Sequence, residues 1–252
     1  MQKGTRLAII GGSAVEQLRG FATAQTVRHT TPWGEPSAPV HAGAFCGVPA
    51  LYLARHGEPH AIAPHRINYR ANLRALADLG ATHVVALNTV GGIAPAAAPG
   101  SLWLPHDAID YTWGREGSFH DGVLLALDHV EFAEPFDAGM RALLGDAAVA
   151  ARVSLHPRAV YGCTQGPRLE TAAEIARLAR DGCDLVGMTA LPEAALAREL
   201  GLPYAMLAMV VNRAAGLSPE PITLAEIRRE AAACMAQVEA TLECLAALLA
   251  SG

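Results

Sequence analysis

Thr-Gln-Gly-Pro-Arg-Leu-Glu-Thr at 164–171, Gly-Met-Thr-Ala-Leu-Pro-Glu-Ala at 187–194 and an isolated Asn212 hold the side chains most able to do chemistry. Glu170 accepts from a ring N–H, and Asn212 both donates and accepts. Met188 offers a soft apolar face, and Thr189 a hydroxyl. Each falls near the end of a predicted strand or in the loop beyond it, where open α/β sheets bind ligands. As a set they match what a purine riboside requires.

A second group suits an anion. Gly11-Gly12-Ser13, Arg55-His56 and Asn88-Thr89 with Gly91-Gly92 each follow an apolar run. Glycines permit the positive φ of a nest of N–H donors, and arginine supplies a planar fork for phosphate. A Gly-Gly turn after a first strand is more often structural, but three such turns plus Thr189 are harder to explain as punctuation. The chain has no Gly-x-Gly-x-x-Gly and no Walker lysine, so free phosphate is favoured over a dinucleotide or triphosphate.

Competing readings attach to several of these residues. His56, His60 and His65 lie close together, yet Pro59 and Pro64 interrupt a helix there and no carboxylate or thiol stands at ligand spacing. No metal is expected. Glu170 precedes a predicted helix, where a carboxylate complements the dipole; that reading and the ligand reading are even on charge placement alone. Asn212 favours the ligand, because an amide ending so apolar a strand needs a polar partner. Cys183 reads as a small apolar residue.

The elements that position these groups are an α/β set. Strands are expected at 6–10, 50–54, 83–87, 159–161, 184–187 and 204–211, and helices at 67–79, 171–180 and 192–200. The stretch 107–135 reads as an irregular insertion, a lid or an oligomer contact. Thr223 and Glu226 form a capping box. Apolar residues then recur at 224, 227, 231, 235, 238, 242, 245 and 249, predicting a C-terminal amphipathic helix. No repeat or composition break divides the 252 residues, so one domain is expected, a mixed twisted sheet flanked by helices.

Composition narrows the function. Hydrophobic residues make 52% of the chain and charged ones 17%, which fits a compact enzyme and not a disordered chain. The net charge of −5, with no basic block, argues against nucleic acid. The longest apolar runs, 205–211 and 244–250, are far short of the ~20 residues of a membrane span, and no signal segment is read. Five cysteines with no Cys-x-x-Cys pair suggest a reducing, cytoplasmic setting.

Together, Ile-Ile-Gly-Gly-Ser at 9–13, Ala-Arg-His-Gly at 54–57, Asn-Thr-Val-Gly-Gly at 88–92, Gln-Gly-Pro-Arg-Leu-Glu-Thr at 165–171, Gly-Met-Thr-Ala-Leu-Pro-Glu at 187–193 and the asparagine after Ala-Met-Val-Val resemble the trimeric purine nucleoside phosphorylase and methylthioadenosine phosphorylase family. The resemblance spans nearly the whole chain. It implies that Ser13, Arg55, His56, Asn88, Thr89 and Thr189 surround inorganic phosphate, a co-substrate, with no cofactor. Met188 would contact the ribose, and Leu169, Glu170 and Asn212 the base. His129 resembles a residue that family members lend to a neighbouring subunit, which implies a homotrimer.

Within that family, methylthioadenosine phosphorylases carry aspartates where this chain has Asn212 and Ala214, and a small hydroxyl residue in place of Glu170. The Glu and Asn pair resembles the 6-oxopurine enzymes. At the sugar's far end, enzymes for ordinary nucleosides place a histidine where this chain has Leu224, with Ile227 one turn on. An apolar pocket there suits a 5′-methylthio group. The expected reaction is therefore phosphorolysis of 5′-methylthioinosine, with phosphate attacking the anomeric carbon while Asn212 and Glu170 stabilise the departing base. Inosine/guanosine phosphorolysis and methylthioadenosine phosphorolysis are the alternatives. A non-catalytic nucleoside sensor is disfavoured because it needs no phosphate.

Overall fold

The structure, a computed structural model, describes residues 4–12 and 18–251. Eleven strands form one sheet: β1 (Leu7–Gly11), β2 (Phe21–Val27), β3 (Val40–Phe45), β4 (Val48–Ala54), β5 (His83–Gly92), β6 (Leu102–Trp103), β7 (Asp107–Asp110), β8 (Leu155–His156), β9 (Val160–Cys163), β10 (Leu185–Gly187) and β11 (Tyr204–Arg213). The helices are α1 (Tyr69–Asp78), α2 (Ala138–Ala150), α3 (Ala172–Arg180), α4 (Ala190–Glu199) and α5 (Leu224–Ser251). This is the mixed, helix-flanked α/β sheet expected from the sequence.

Strands β1, β5 and β11 form the centre, and their near-continuous apolar runs are buried on both faces. Side chains alternate between two layers, as the period of two in a strand requires. Ala8, Ile10, Met206 and Val210 enter one layer with Leu73 and Leu76 of α1 and Leu196 of α4. Leu7, Ile9, Leu207 and Met209 enter the other with Leu144 of α2 and Val238, Leu242 and Leu245 of α5. From Ile227 to Leu249 the predicted α5 stripe is thus the seam of this second layer, and Thr223 caps the helix reciprocally with Glu226. By length and composition α5 is apolar enough to cross a membrane, which a scan for apolar runs missed; its apolar face is packed within this second layer.

One strand positions the site. β5 pairs along one edge with parallel β11. Along its other edge it pairs with parallel β1 only through Ala86, and with antiparallel β10 only from Gly91. Residues 87–90 have no strand neighbour on that edge among the described residues, so the sheet splits there. Asn88 and Thr89 stand at this split.

Several expectations need correction. Asn88–Gly92 is not a turn but the second half of β5, because β11 and β10 supply partners through Gly92. Neither Gly11 nor Gly12 has a positive φ; a Cβ on Gly12 would stand 2.6 Å from the Leu87 carbonyl oxygen, so close approach explains the glycine. The 107–135 stretch contains β7, paired with β9, before it becomes irregular. Strands β2, β3, β6 and β8 and helix α2 were not foreseen. β2 is a largely exposed edge strand without alternating apolar residues, and α2 is alanine-rich with no sharp stripe.

Candidate active site

The anion side of the cleft is built on a buried polar chain. Arg55 follows β4 directly and is 1% exposed. Its Nε donates to Glu193 Oε2 at 2.7 Å and its Nη2 to Glu193 Oε1 at 2.9 Å. Tyr204 donates its hydroxyl to Glu193 Oε1 at 2.8 Å. Burial opposes the arginine's charge, but Glu193 more than offsets this and raises its pKa. Burial, and next Glu193, hold the Tyr204 hydroxyl protonated.

On the cleft side, Arg55 Nη1 donates to the Leu87 carbonyl at 3.2 Å and Nη2 to Asn88 Oδ1 at 3.4 Å. The bidentate face of the fork, expected to grip phosphate, is therefore turned to Glu193. Four of the five N–H donors are committed, and the remaining Nη1 hydrogen has no acceptor among the described residues.

The chain continues in a fixed direction. Because Asn88 Oδ1 accepts from Arg55, its amide nitrogen faces Thr189 and donates to Oγ1 at 2.7 Å. Thr189 is the N-cap residue of α4, yet its side chain caps no helical N–H. Having accepted from Asn88, its hydroxyl is left to donate, and no described residue accepts that proton. A helix N-terminus adds its own preference for negative charge.

His56 is also buried, with Nδ1 2.8 Å from the Ile62 carbonyl and its ring stacked on His60 at 4.4 Å. Burial lowers its pKa to about 4, helped by Arg55 and His60 and opposed by the Ile62 bond. The ring is neutral near pH 7. Nδ1 carries the proton given to Ile62, so Nε2 presents a lone pair. The His56 backbone N–H donates to no described backbone carbonyl, and the Thr89 side chain is half-buried in β5. Ser13 lies outside the described residues. No group of three metal-ligating side chains converges among the described residues.

The loop bearing Glu170 adjoins this. Glu170 Oε1 accepts from the Thr164 hydroxyl at 2.6 Å, and the Thr164 N–H donates to the Gly187 carbonyl at 2.8 Å. Gly166 has φ +62°, and a Cβ there would stand 2.6 Å from Met188 Sδ. Thr171, not Glu170, caps α3, in a capping box with Glu174.

Asn212 follows a bulge in β11: Val210 pairs with Val90 and Asn212 with Gly91, leaving Val211 extra. Its Nδ2 donates to the Arg213 carbonyl at 2.7 Å, which fixes the amide orientation. A Cβ on Gly91 would stand 3.3 Å from that Nδ2, so the glycine leaves room for the amide. Beyond the bulge, Gly216 packs against Ala172 at the start of α3, two residues from Glu170.

The remaining predicted residues are scattered. Leu169 is 43% exposed. Ala214 packs among Ile93, Ile175, Leu178 and Val186, so its side chain faces the core. Ile227 packs against the α2–α5 layer. Nothing is described of the Leu224 side chain. His129 lies in an exposed stretch, its N–H bonded to its neighbour Asp128.

The sequence reading missed Glu193, Tyr204 and Arg115. Glu193 stands within the quoted Gly-Met-Thr-Ala-Leu-Pro-Glu motif, and a carboxylate at an otherwise apolar helix start was the available signal.

This architecture and these motifs coincide with a known family. A sequence profile described as "Phosphorylase superfamily" matches residues 6–248. The chain belongs to this superfamily. It is 50% identical over 238 residues to a "Probable S-methyl-5'-thioinosine phosphorylase" of Pseudomonas syringae pv. tomato, covering 94% of this chain and 97% of that one. It is 42% identical over 228 residues to the "6-oxopurine nucleoside phosphorylase" of Pyrococcus furiosus, covering 88% and 84%. A solved methylthioadenosine phosphorylase from Schistosoma mansoni in complex with adenine superposes with a TM-score of 0.94 at 31% identity, covering 98% and 93%.

Proposed function

We propose that the protein cleaves S-methyl-5′-thioinosine with inorganic phosphate, giving hypoxanthine and 5-methylthioribose 1-phosphate. The observation that carries this is the continuity of the two half-sites. Thr189, whose hydroxyl is aimed by Asn88, is next in sequence to Met188, which packs against Gly166 of the Glu170 loop. A phosphate there stands beside a riboside whose base reaches Glu170 and Asn212.

A phosphate oxygen attacks the anomeric carbon as the glycosidic C–N bond breaks, and the bond's electron pair passes to the purine. Thr189, the His56 N–H and the free Arg55 donor hold the anion, while the neutral His56 Nε2 accepts from a phosphate hydroxyl. Asn212 donates its second amide hydrogen to the base, and Glu170 accepts from N1–H of a 6-oxopurine. Catalysis is by orientation and charge stabilisation, with phosphate as the only co-substrate and no metal or other cofactor. Leu224 and Ile227 favour a 5′-methylthio group over a hydroxyl.

The exposed Val123, Leu124, Leu127 and Val130 around His129 support a homotrimer in which this stretch meets a neighbour. Five free cysteines support a reducing, cytoplasmic setting. Assays of methylthioinosine, inosine and methylthioadenosine, with and without phosphate, test the reading. Phosphate-dependent hypoxanthine release, fastest from methylthioinosine, is expected. Faster cleavage of inosine would favour an inosine/guanosine phosphorylase, and faster cleavage of methylthioadenosine would overturn the base assignment.

A further inference from the structure

Arg115 lies in the irregular segment between β7 and α2, outside every motif that carries the site, yet its guanidinium reaches three separate stretches of chain. Nη1 donates to the carbonyls of Met188 at 2.9 Å and Leu191 at 2.6 Å, and stands 3.4 Å from the Tyr69 hydroxyl. Nη2 donates to the carbonyls of Thr164 at 3.2 Å and Gln165 at 2.9 Å. Nε donates to the Gln165 side chain at 3.3 Å, and the cation sits 5.6 Å from the Tyr69 ring centroid. One edge of the plane therefore holds the Glu170 loop and the other holds the Met188–Leu191 turn.

No carboxylate pairs with Arg115 among the described residues. Its donors are spent on carbonyls whose positions set two loops relative to each other. A planar fork with five fixed donors does this; a lysine's point charge on a flexible stem does not. Loops tied to one rigid group are ordered together, and a ligand that orders one lowers the entropic cost of ordering the other.

We propose that Arg115 is a positioning residue that couples the purine half of the site to the phosphate half, so that each ligand tightens the other. This rests on the nucleoside phosphorolysis reading above. The Thr164 and Gln165 carbonyls fix the loop bearing Glu170, and the Met188 carbonyl fixes the residue before Thr189. A shift of one loop is transmitted to the other through this side chain, alongside the direct hydrogen bond from the Thr164 N–H to the Gly187 carbonyl.

The test is the dissociation constant of hypoxanthine with and without inorganic phosphate, in the wild type, Arg115→Ala and Arg115→Lys. Phosphate is expected to tighten hypoxanthine on the order of tenfold in the wild type, a typical coupling between linked sites. That ratio should fall to near one in both variants, with KM raised for nucleoside and phosphate alike. Low-millimolar guanidinium ion should restore the ratio in Arg115→Ala, whereas equal potassium chloride should not. A folded Arg115→Ala or Arg115→Lys that keeps the wild-type ratio overturns the proposal, as does a wild type with no coupling. If Arg115→Ala does not fold, Arg115→Lys alone decides. Wild-type protein lacking phosphate-dependent hypoxanthine release would instead sink the functional reading, a separate outcome measured in the same preparation.

Discussion

The Glu193 carboxylate holds Arg55 on both Nε and Nη2, at 2.7 and 2.9 Å, with neither side chain open to water. The arginine nearest the anion cleft is thus part of a neutral buried pair. Beyond Glu193 it donates to the Leu87 carbonyl and to Asn88 Oδ1, and one Nη1 hydrogen has no acceptor among the described residues.

Arg55→Ala should accordingly unfold more readily before it shows a simple phosphate defect. Removing one partner of a buried pair leaves an uncompensated charge and costs about 3–5 kcal/mol. Urea denaturation of Arg55→Ala, Glu193→Ala and the double variant should show strong coupling, with the double variant less destabilised than the two singles summed. Additive losses would mean that the pair contributes nothing as a unit.

Asn88→Ala should raise the phosphate KM about tenfold while changing the nucleoside KM little, since a net hydrogen bond of about 1 kcal/mol and the orientation of Thr189 are lost. Asn88→Asp places an acceptor against Thr189 Oγ1 and turns the hydroxyl inward, so its phosphate KM should rise further. Steady-state kinetics at varied phosphate check both. An unchanged phosphate KM would remove the Asn88–Thr189 bond from anion binding.

His56 predicts an acid-sensitive stability. Its native pKa, lowered to about 4, lies below its ordinary value of 6.5. Between those pH values the unfolded chain binds a proton that the native chain does not, so stability falls as pH falls and levels off below pH 4. The full effect is about 3 kcal/mol. His56→Asn keeps a donor for the Ile62 carbonyl and removes the titration. The wild-type loss between pH 7 and pH 4, measured by denaturation, should exceed the variant's by about that amount.

Base preference should move only when two residues change together. Asn212→Asp alone sets a carboxylate oxygen against the Arg213 carbonyl, now bonded at 2.7 Å, and so costs about 1–3 kcal/mol. Glu170→Ser alone removes the partner of N1–H and frees the Thr164 hydroxyl. Asn212→Asp with Glu170→Ser should favour methylthioadenosine over methylthioinosine more than either single change. The ratio of the two kcat/KM values measures this. An unchanged ratio in the double variant would show that the base is read elsewhere.

The central strands and the three site motifs were legible because their signals are local. Unbroken apolar runs mark β1, the first half of β5 and most of β11. The Arg55–Glu193 pair was not legible, since its partners stand 138 positions apart and only the fold brings them together. Arg115 was hidden for a similar reason: its partners are backbone carbonyls, which leave no trace in residue identity. The second half of β5 was read as a turn because Gly91 and Gly92 look like chain breakers. Each is there because a Cβ would strike a neighbour, Val186 and Asn212 in one case and Ala97 in the other.

The change of partner along β5 divides what this fold can vary from what it cannot. The split in the sheet where the proposed anion site lies exists because one strand ends and another begins on the same edge, which is a property of strand order and not of any single side chain. In the proposed reading base identity, by contrast, rests on Glu170 in a loop and Asn212 at a bulge. Substitutions at those two places leave the ladder intact. Descendants of such a chain would therefore exchange one purine for another far more readily than they would give up the anion.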